Sequence, residues 1–387
     1  MIERKTALET LETTLRENPI CALLGPRQCG KSTLARELHY AYRAKGQSTH
    51  WFDLESAEDL TALGNPELVL KSLTGLVVID EVQRLPELFA SLRPLADRRA
   101  HSARFLLLGS ASPTIVQGVS ESLAGRVGFV DLGGFSLSEV GTGNLRALWL
   151  RGGFPRSFLA SSNLTSFRWR GNFIRTFLEQ DIPQLGFSTP AETLRRFWTM
   201  VAHYHGQIWN ASELARSLGA TEPTARRYLD ILCGTYVANK LQPWHSNIGK
   251  RQIKSPKVYL RDSGLLHGLL GIRNQEELLS HPKAGASWEG FALDQVLAVT
   301  GREDSWFWGT HQGAELDLLL FRGGKAYGFE FKLTNKPGTT KSLKTALDDL
   351  QIEKAWIVHP GEKQFPVHDK VEALPLARVE QLAFLNQ

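Results

Sequence analysis

Between residue 20 and about residue 140, short apolar runs alternate with amphipathic stretches. The run 20–24 is apolar throughout, and 33–44 after it places Leu34, Ala35 and Leu38 on one helical face with Arg36 and Glu37 on another. Residues 51–54, 76–79, 105–108 and 127–132 repeat the strand pattern. Strands that read as unbroken apolar runs are buried on both faces, so five of them with helices between predict a parallel sheet in a three-layer α/β sandwich. Residues 1 to about 19 carry Leu8, Leu11 and Leu15 at i, i+3, i+7, a helix for the same core, and the first domain is expected over 1–140.

The pattern loosens at Gly133-Gly134 and Gly141-Thr142-Gly143. Residues 141–205 follow a helical period, with apolar residues at 173, 174, 177 and 178, and predict a small helical lid over the first domain's ligand. From 206 to 272 the helices shorten. One ends at Gly219; the next is capped by Thr221, has Pro223 in its first turn and turns Ala225, Leu229 and Leu232 inward. This spacing predicts a helix-turn-helix, with strand-like pieces at 241–244 and 257–260 flanking Lys250, Arg251 and Lys254 as a basic wing. The last domain, 280–387, opens on a helix from Ser287 with Trp288, Phe291, Ala292 and Val296 on its apolar side. Two strands follow it, 315–321 and 326–333, joined across Gly323-Gly324.

Between the first strand and its helix lies Gly25-Pro26-Arg27-Gln28-Cys29-Gly30-Lys31-Ser32, which fits G-x-x-x-x-G-K-[ST], with Thr33 next. A strand that passes through a glycine loop into a helix aims backbone N–H groups at phosphate, at the positive end of the helix dipole. Lys31 is expected to reach the β and γ phosphates of ATP, and Ser32 to offer its hydroxyl to Mg2+. The strand 76–79 ends in Asp80-Glu81: Asp80 is expected to hold the Mg2+ through water, and Glu81 to orient and deprotonate the attacking water. Ser110, after 105–108, is a candidate γ-phosphate contact, with a plain turn residue as the alternative. Arg126, just before the last strand of the domain, is a candidate arginine finger for a neighbouring subunit's nucleotide, against an ordinary surface arginine.

Charge adds a partner. The chain of 387 residues carries a net +5, and residues 195–262 hold eleven Lys and Arg against four Asp and Glu. A positive excess gathered around a helix-turn-helix suits phosphate binding, with Thr224, Arg226, Arg227 and Tyr228 placed to read a DNA groove; a protein-contact helix-turn-helix is the alternative. Three scattered cysteines, Cys21, Cys29 and Cys233, suit a reducing compartment rather than a disulfide framework or zinc site. No apolar run approaches the roughly 18 residues that cross a bilayer. A cytoplasmic protein with no membrane partner is expected.

The last pair of strands has its own chemistry. A two-residue turn puts Arg322 opposite Lys325, Asp317 opposite Glu330 and Glu315 opposite Lys332, with the last four on one face. Two carboxylates about 5 Å apart repel unless something positive lies between them, and Mg2+ is a cation that does this. Lys332 beside it is placed to act on a metal-bound water, the minimum for cutting a phosphodiester. A solvated strand face with a salt bridge is the alternative, because Leu318, Leu320, Phe329 and Phe331 form a clean apolar opposite face.

Taken together, these residues resemble a prokaryotic family of AAA+ ATPases with a carboxyl-terminal region of unknown function (DUF4143). The likeness rests on 25–32 and Asp80-Glu81, on Ser122-Leu123-Ala124-Gly125-Arg126, Gly152-Gly153-Phe154-Pro155 and Tyr228-Leu229-Asp230, and on Lys254-Ser255-Pro256-Lys257-Val258-Tyr259 with Asp262-Ser263-Gly264-Leu265. It implies the AAA+ strand order, frequent ring assembly such as a hexamer, and a winged helix. It also implies a last domain similar to the PD-(D/E)xK nuclease fold, with Asp317, Glu330 and Lys332 as its motif and Glu289 as the helix acid. Three functions follow as expectations. They are an ATP-driven motor that translocates, unwinds or branch-migrates duplex or branched DNA; an ATP-regulated, metal-dependent DNA nuclease; and a nucleotide switch in signalling or defence with a protein partner.

Overall fold

The apolar runs of the first domain become strands. The computed structural model describes residues 2–97, 103–110, 123–245 and 253–386. In it Ile20–Gly25 (β1), Thr49–Asp53 (β2), Gly75–Asp80 (β3), Ala103–Ser110 (β4) and Val127–Asp131 (β5) form a sheet of order β2-β3-β4-β1-β5. Every pairing is parallel. Alternate residues of the inner strands face opposite ways: Ile20, Ala22, Val77, Ile79, Phe105 and Leu107 share a core with Leu88 and Leu92 of the helix Leu88–Ala96. The helices Lys5–Glu17 and Lys31–Ala44 also pack against the sheet. In the first of them Leu11 and Leu15 are fully buried and Leu8 half-buried. Because the strands are parallel, the carboxyl ends of β1, β3 and β4 share one edge, with Gly25 registered beside Ser110.

The chain divides after Phe135 into two units, and Gly234–Tyr236 returns to the first. The second unit begins at Ser136, so the helical stretch expected as a lid belongs to it. There Leu145–Arg151, Asn163–Thr176 and Ala191–His203 pack against the short apolar helix Ser263–Leu270.

Gln207–Ile208 (β6) leads into the helices Ala211–Leu218 and Glu222–Gly234, followed by Ala238–Leu241 (β7) and Lys257–Leu260 (β8), which form an antiparallel sheet β6-β8-β7. The strand expected at 241–244 therefore lies three residues early. The reason is a change of partner: past Leu241 the backbone leaves β8, and Gln242 and Trp244 exchange hydrogen bonds with Phe307 at 3.0 and 2.7 Å.

Phe307 lies in Ser305–Gly309 (β9), the edge of a larger sheet. Glu315–Arg322 (β10), Lys325–Phe331 (β11), Lys354–His359 (β12), Phe365–His368 (β13) and Val371–Pro375 (β14) complete it in the order β13-β14-β12-β11-β10-β9. The helix expected from Ser287 starts three residues sooner, as Ala284–Thr300. The β10–β11 register runs as expected from Arg322↔Lys325 to Leu318↔Phe329. The ladder with β11 ends there; on its other side β10 bulges against β9 between Leu316 and Leu319, and the Asp317 carboxylate accepts from the Phe331 N–H at 3.0 Å.

Candidate nucleotide-binding site

Two backbone demands shape the turn after β1. Gly30 has φ 105°, and a methyl group on Gly25 would lie 2.0 Å from the Leu132 carbonyl oxygen, so both glycines of the motif are required by geometry. The helix that follows has no side-chain cap and no acid in its first turn. Its amino end therefore suits an anion. Lys31 is only 7% exposed and lies back over its own loop, donating to the carbonyls of Gly25 and Pro26, both at 2.9 Å. Pro26 is buried, Arg27 half-buried, and Gln28 and Thr33 exposed.

Asp80, at the end of β3, comes to the same edge. Its carboxylate is 6% exposed and accepts hydrogen bonds from the Ser32 side chain and, at 3.0 Å, from the Glu81 N–H. Burial pushes the Asp80 carboxyl above its usual range, and neighbouring Asp53 adds to this; Ser32, the Glu81 N–H and Lys31 pull it back. A hydroxyl joined to a buried carboxylate at an uncapped helix start is a donor set that fits Mg2+. Glu81 takes the left-handed conformation, φ 55°, and the Gln83 side-chain amide holds its carboxylate.

Arg4, which the sequence did not single out, braces the loop. Only 9% exposed, it donates to the carbonyls of Cys29 (3.1 Å), Gly133 (3.2 Å) and Gly134 (3.1 Å) and lies over the Phe135 ring. Nothing local marks it. The one local sign is a cation just ahead of an amphipathic helix, and its partners lie far along the chain.

Two other candidates differ in where they lie. Ser110 closes β4 beside Gly25, but its side chain lies outside the described residues. Arg126 is at the opposite edge: its carbonyl accepts from the Ile20 N–H, a strand length of roughly 17 Å from Gly25. Its guanidinium grips Asp97 with two bonds, at 2.5 and 3.0 Å. Within its own chain it does not meet the loop.

The carboxylates of the last domain also gather, around a cation that the sequence reading did not place there. Lys257 of β8 is 3% exposed at its side chain, with its ammonium 3.1 Å from Glu289 and 3.3 Å from Asp317 and also paired with Glu315. Burial works against its charge, but Tyr259, Glu289, Asp317 and Glu315 outweigh it and hold the Lys257 pKa well above normal. Burial and then Asp317 push the Glu289 carboxyl up to about 7, opposed by Lys257 and Tyr259. Glu330 turns to other partners, the Thr340 hydroxyl at 2.7 Å and Lys332 at 3.6 Å. Burial pushes the Glu330 carboxyl up and the Asp317 charge adds to this, while Lys332 and Thr340 oppose it, so Asp317, Glu330 and Lys332 remain electrostatic neighbours. Among the described residues, no group of three His, Cys, Asp or Glu is disposed to hold a metal.

Comparison with known proteins decides the family. Residues 17–141 match an AAA domain, 142–276 a domain of unknown function (DUF8612) and 284–379 a domain of unknown function (DUF4143). Over 379 residues, 98% of this chain and 85% of the relative, the sequence is 50% identical to uncharacterized protein Rv2008c of Mycobacterium tuberculosis. It matches uncharacterized protein Mb2031c of Mycobacterium bovis to the same extent. The chain belongs to this AAA-domain family. Its amino-terminal unit is accordingly an ATPase of the P-loop type.

Among solved structures, the AAA-domain protein is similar to the Walker-type ATPase PABY2304 of Pyrococcus abyssi, at 16% identity over 70% of this chain and 96% of that one, with a TM-score of 0.49. It is also similar to AMPPCP-bound DnaA from Aquifex aeolicus, at 14% identity, 59% and 88% coverage and a TM-score of 0.27. Likeness at that level carries no weight on substrate or partner.

In this family member the helix Glu222–Gly234 bears the residues expected to meet DNA. Arg226 and Arg227 are exposed; the first lies 3.8 Å from Glu222 and the second donates to Thr189 at 3.3 Å. Thr224 is half-buried beside the capping Thr221. Tyr228 is a correction: it is 7% exposed with its ring edge-on to Phe197, a core residue that cannot enter a groove. Lys254 is exposed, while Lys250, Arg251 and Ser122 lie outside the described residues. No helix among the described residues is long and apolar enough to cross a membrane.

Proposed function

We propose that this AAA-domain protein is a Mg2+-dependent ATP hydrolase that uses hydrolysis to translocate, unwind or branch-migrate DNA, working as a ring of identical copies. The observation that carries the first half is the convergence of Lys31, Ser32, Asp80 and Glu81 on one edge of the sheet. Lys31 exchanges its two carbonyl partners for the β and γ phosphates, and the helix start receives the rest of their charge. Ser32 and Asp80 hold Mg2+, which when bound offsets charge developing on the phosphate oxygens. Glu81 orients the attacking water and takes its proton. The DNA half rests on Arg226, Arg227 and Lys254, exposed in the region of strongest positive excess.

The test is ATP turnover by the parent, Lys31→Ala and Glu81→Gln proteins, without DNA and with duplex or four-way-junction DNA. Both variants should lose at least about a hundredfold, and DNA should raise parental turnover about threefold or more. Unchanged turnover in Lys31→Ala removes the assigned site; turnover indifferent to every DNA removes the DNA role. Arg226 and Arg227 are already engaged within the chain, by Glu222 and Thr189, which leaves less free charge for phosphate; a second reading is a slow nucleotide switch with a protein on this helix. Slow hydrolysis with tightly retained nucleotide would select it.

A further inference from the structure

The resemblance to metal-dependent nucleases implies a divalent cation among the carboxylates of the last domain, and the residues present do not fit one. Three elements meet at that place. The helix Ala284–Thr300 supplies Glu289, β10 supplies Glu315 and Asp317, and β8, a strand of the other sheet, supplies Lys257 and Tyr259. An ammonium has three donors and no acceptor, and Lys257 directs its charge at three carboxylates while its side chain is 3% exposed. Tyr259, two residues along the same strand and so on the same face, donates its hydroxyl to Glu289 at 2.6 Å. The remaining Asp317 oxygen is taken by the Phe331 N–H at 3.0 Å. Glu289 and Asp317 are largely withdrawn from water and Glu315 reaches in from the surface; carboxylates this close need a cation among them, and the chain brings its own.

We propose that Lys257 is a built-in counter-cation standing where a divalent metal would stand, so that Glu289, Glu315 and Asp317 form a metal-free clasp tying the β6-β8-β7 sheet to the larger sheet. The clasp gives Lys257 and Tyr259, two members of the 254–259 motif, a shared task that neither ATP hydrolysis nor DNA contact requires. It also predicts that the metal dependence of this region is hidden rather than lost.

The test uses the full chain without nucleotide: parent, Lys257→Met, Asp317→Asn and the double variant, each melted in EDTA and in excess MnCl2, with bound Mn2+ followed by electron paramagnetic resonance. The parent should melt at the same temperature in both solutions. Lys257→Met should melt roughly 10 °C lower in EDTA, recover most of that in Mn2+, and bind an Mn2+ that the double variant does not. The double variant, with the cluster's net charge back at the parental value and one carboxylate fewer to repel, should melt above Lys257→Met in EDTA. A parental Mn2+ signal that disappears in Asp317→Asn overturns the proposal, as does a Lys257→Met protein that melts like the parent or ignores Mn2+. If Lys257→Met yields no folded protein, the double variant decides. Its folding supports the clasp; its failure beside a folded Asp317→Asn overturns it.

Discussion

Glu81 occupies a backbone region that residues with side chains seldom adopt, φ 55°, and its carboxylate is tethered by the Gln83 amide. A proton acceptor must be aimed before it acts, so Gln83 is a positioning residue for the proposed hydrolysis. Gln83→Ala should lower kcat about tenfold with KM for ATP unchanged; a raised KM at constant kcat would make Gln83 a nucleotide contact instead. At this scale, what the sequence revealed depended on distance along the chain. Lys31, Ser32, Asp80 and Glu81 were readable because a strand end and a fixed spacing carry the local geometry with them. Arg4 and Lys257 were not, since their partners lie 25 to 130 and 32 to 60 positions away. Tyr228 was misjudged for another reason. It follows Ala225 by three positions on a helix whose buried face already included 225, 229 and 232, and that spacing marked it as core.

The helix Ser263–Leu270 is short but organises the second unit. Asp262 caps it at Leu265 and with its other oxygen accepts the Gly153 N–H, both at 2.7 Å, so the Gly152–Pro155 turn and the Asp262–Leu265 segment, two motifs of unknown use, fasten each other. Packing there leaves no room: a Cβ on Gly264 would sit 2.1 Å from the Arg151 carbonyl oxygen, which is backbone and cannot swing aside. Gly264→Ala should cost about 3 kcal/mol, seen as a lowered urea midpoint at constant m. His267 lies within a line of hydrogen bonds that runs from Trp149 to the Leu150 carbonyl. The Trp149 indole donates to the Ser287 oxygen (3.0 Å), whose hydroxyl donates to His267 Nε2 (2.7 Å), and Nδ1–H donates to the Leu150 carbonyl (2.9 Å). That chain needs a neutral ring, and burial lowers the His267 pKa to about 3. Below pH 6.5 the unfolded chain takes up this proton and the folded chain does not, so stability falls as pH falls. Against His267→Gln, which cannot titrate, the parent's advantage should shrink by about 1 kcal/mol between pH 7 and about pH 5.5. Asp262, pushed up to about 6 by burial, titrates the other way in both proteins and drops out of the difference. An advantage independent of pH would mean that His267 titrates in the fold as it does in the unfolded chain, and an advantage that grows as pH falls would mean that the ring is charged in the fold.

At the scale of the molecule, five strands were countable from the sequence, but their order β2-β3-β4-β1-β5 was not, because pairing across a parallel sheet is decided by crossover connections that leave no mark on any one strand. That order sets β1, which carries the nucleotide loop at its carboxyl end, between β4 and the edge strand β5, and because the strands are parallel Arg126 lies at their amino ends, held by Asp97. An arginine so far from its own loop can serve hydrolysis only by reaching the nucleotide of another copy, and the ion pair with Asp97 is the contact it must give up to do so. A mixture of two inactive variants separates the possibilities. Lys31→Ala keeps Arg126 but cannot turn over ATP at its own loop; Arg126→Ala keeps the loop but offers no arginine. If Arg126 acts between copies, each variant alone should be slow, while an equimolar mixture should recover a substantial fraction of parental turnover, more so as protein concentration rises. If Arg126 only pairs with Asp97, Arg126→Ala alone should hydrolyse ATP at close to the parental rate, and mixing should give the plain average of the two proteins.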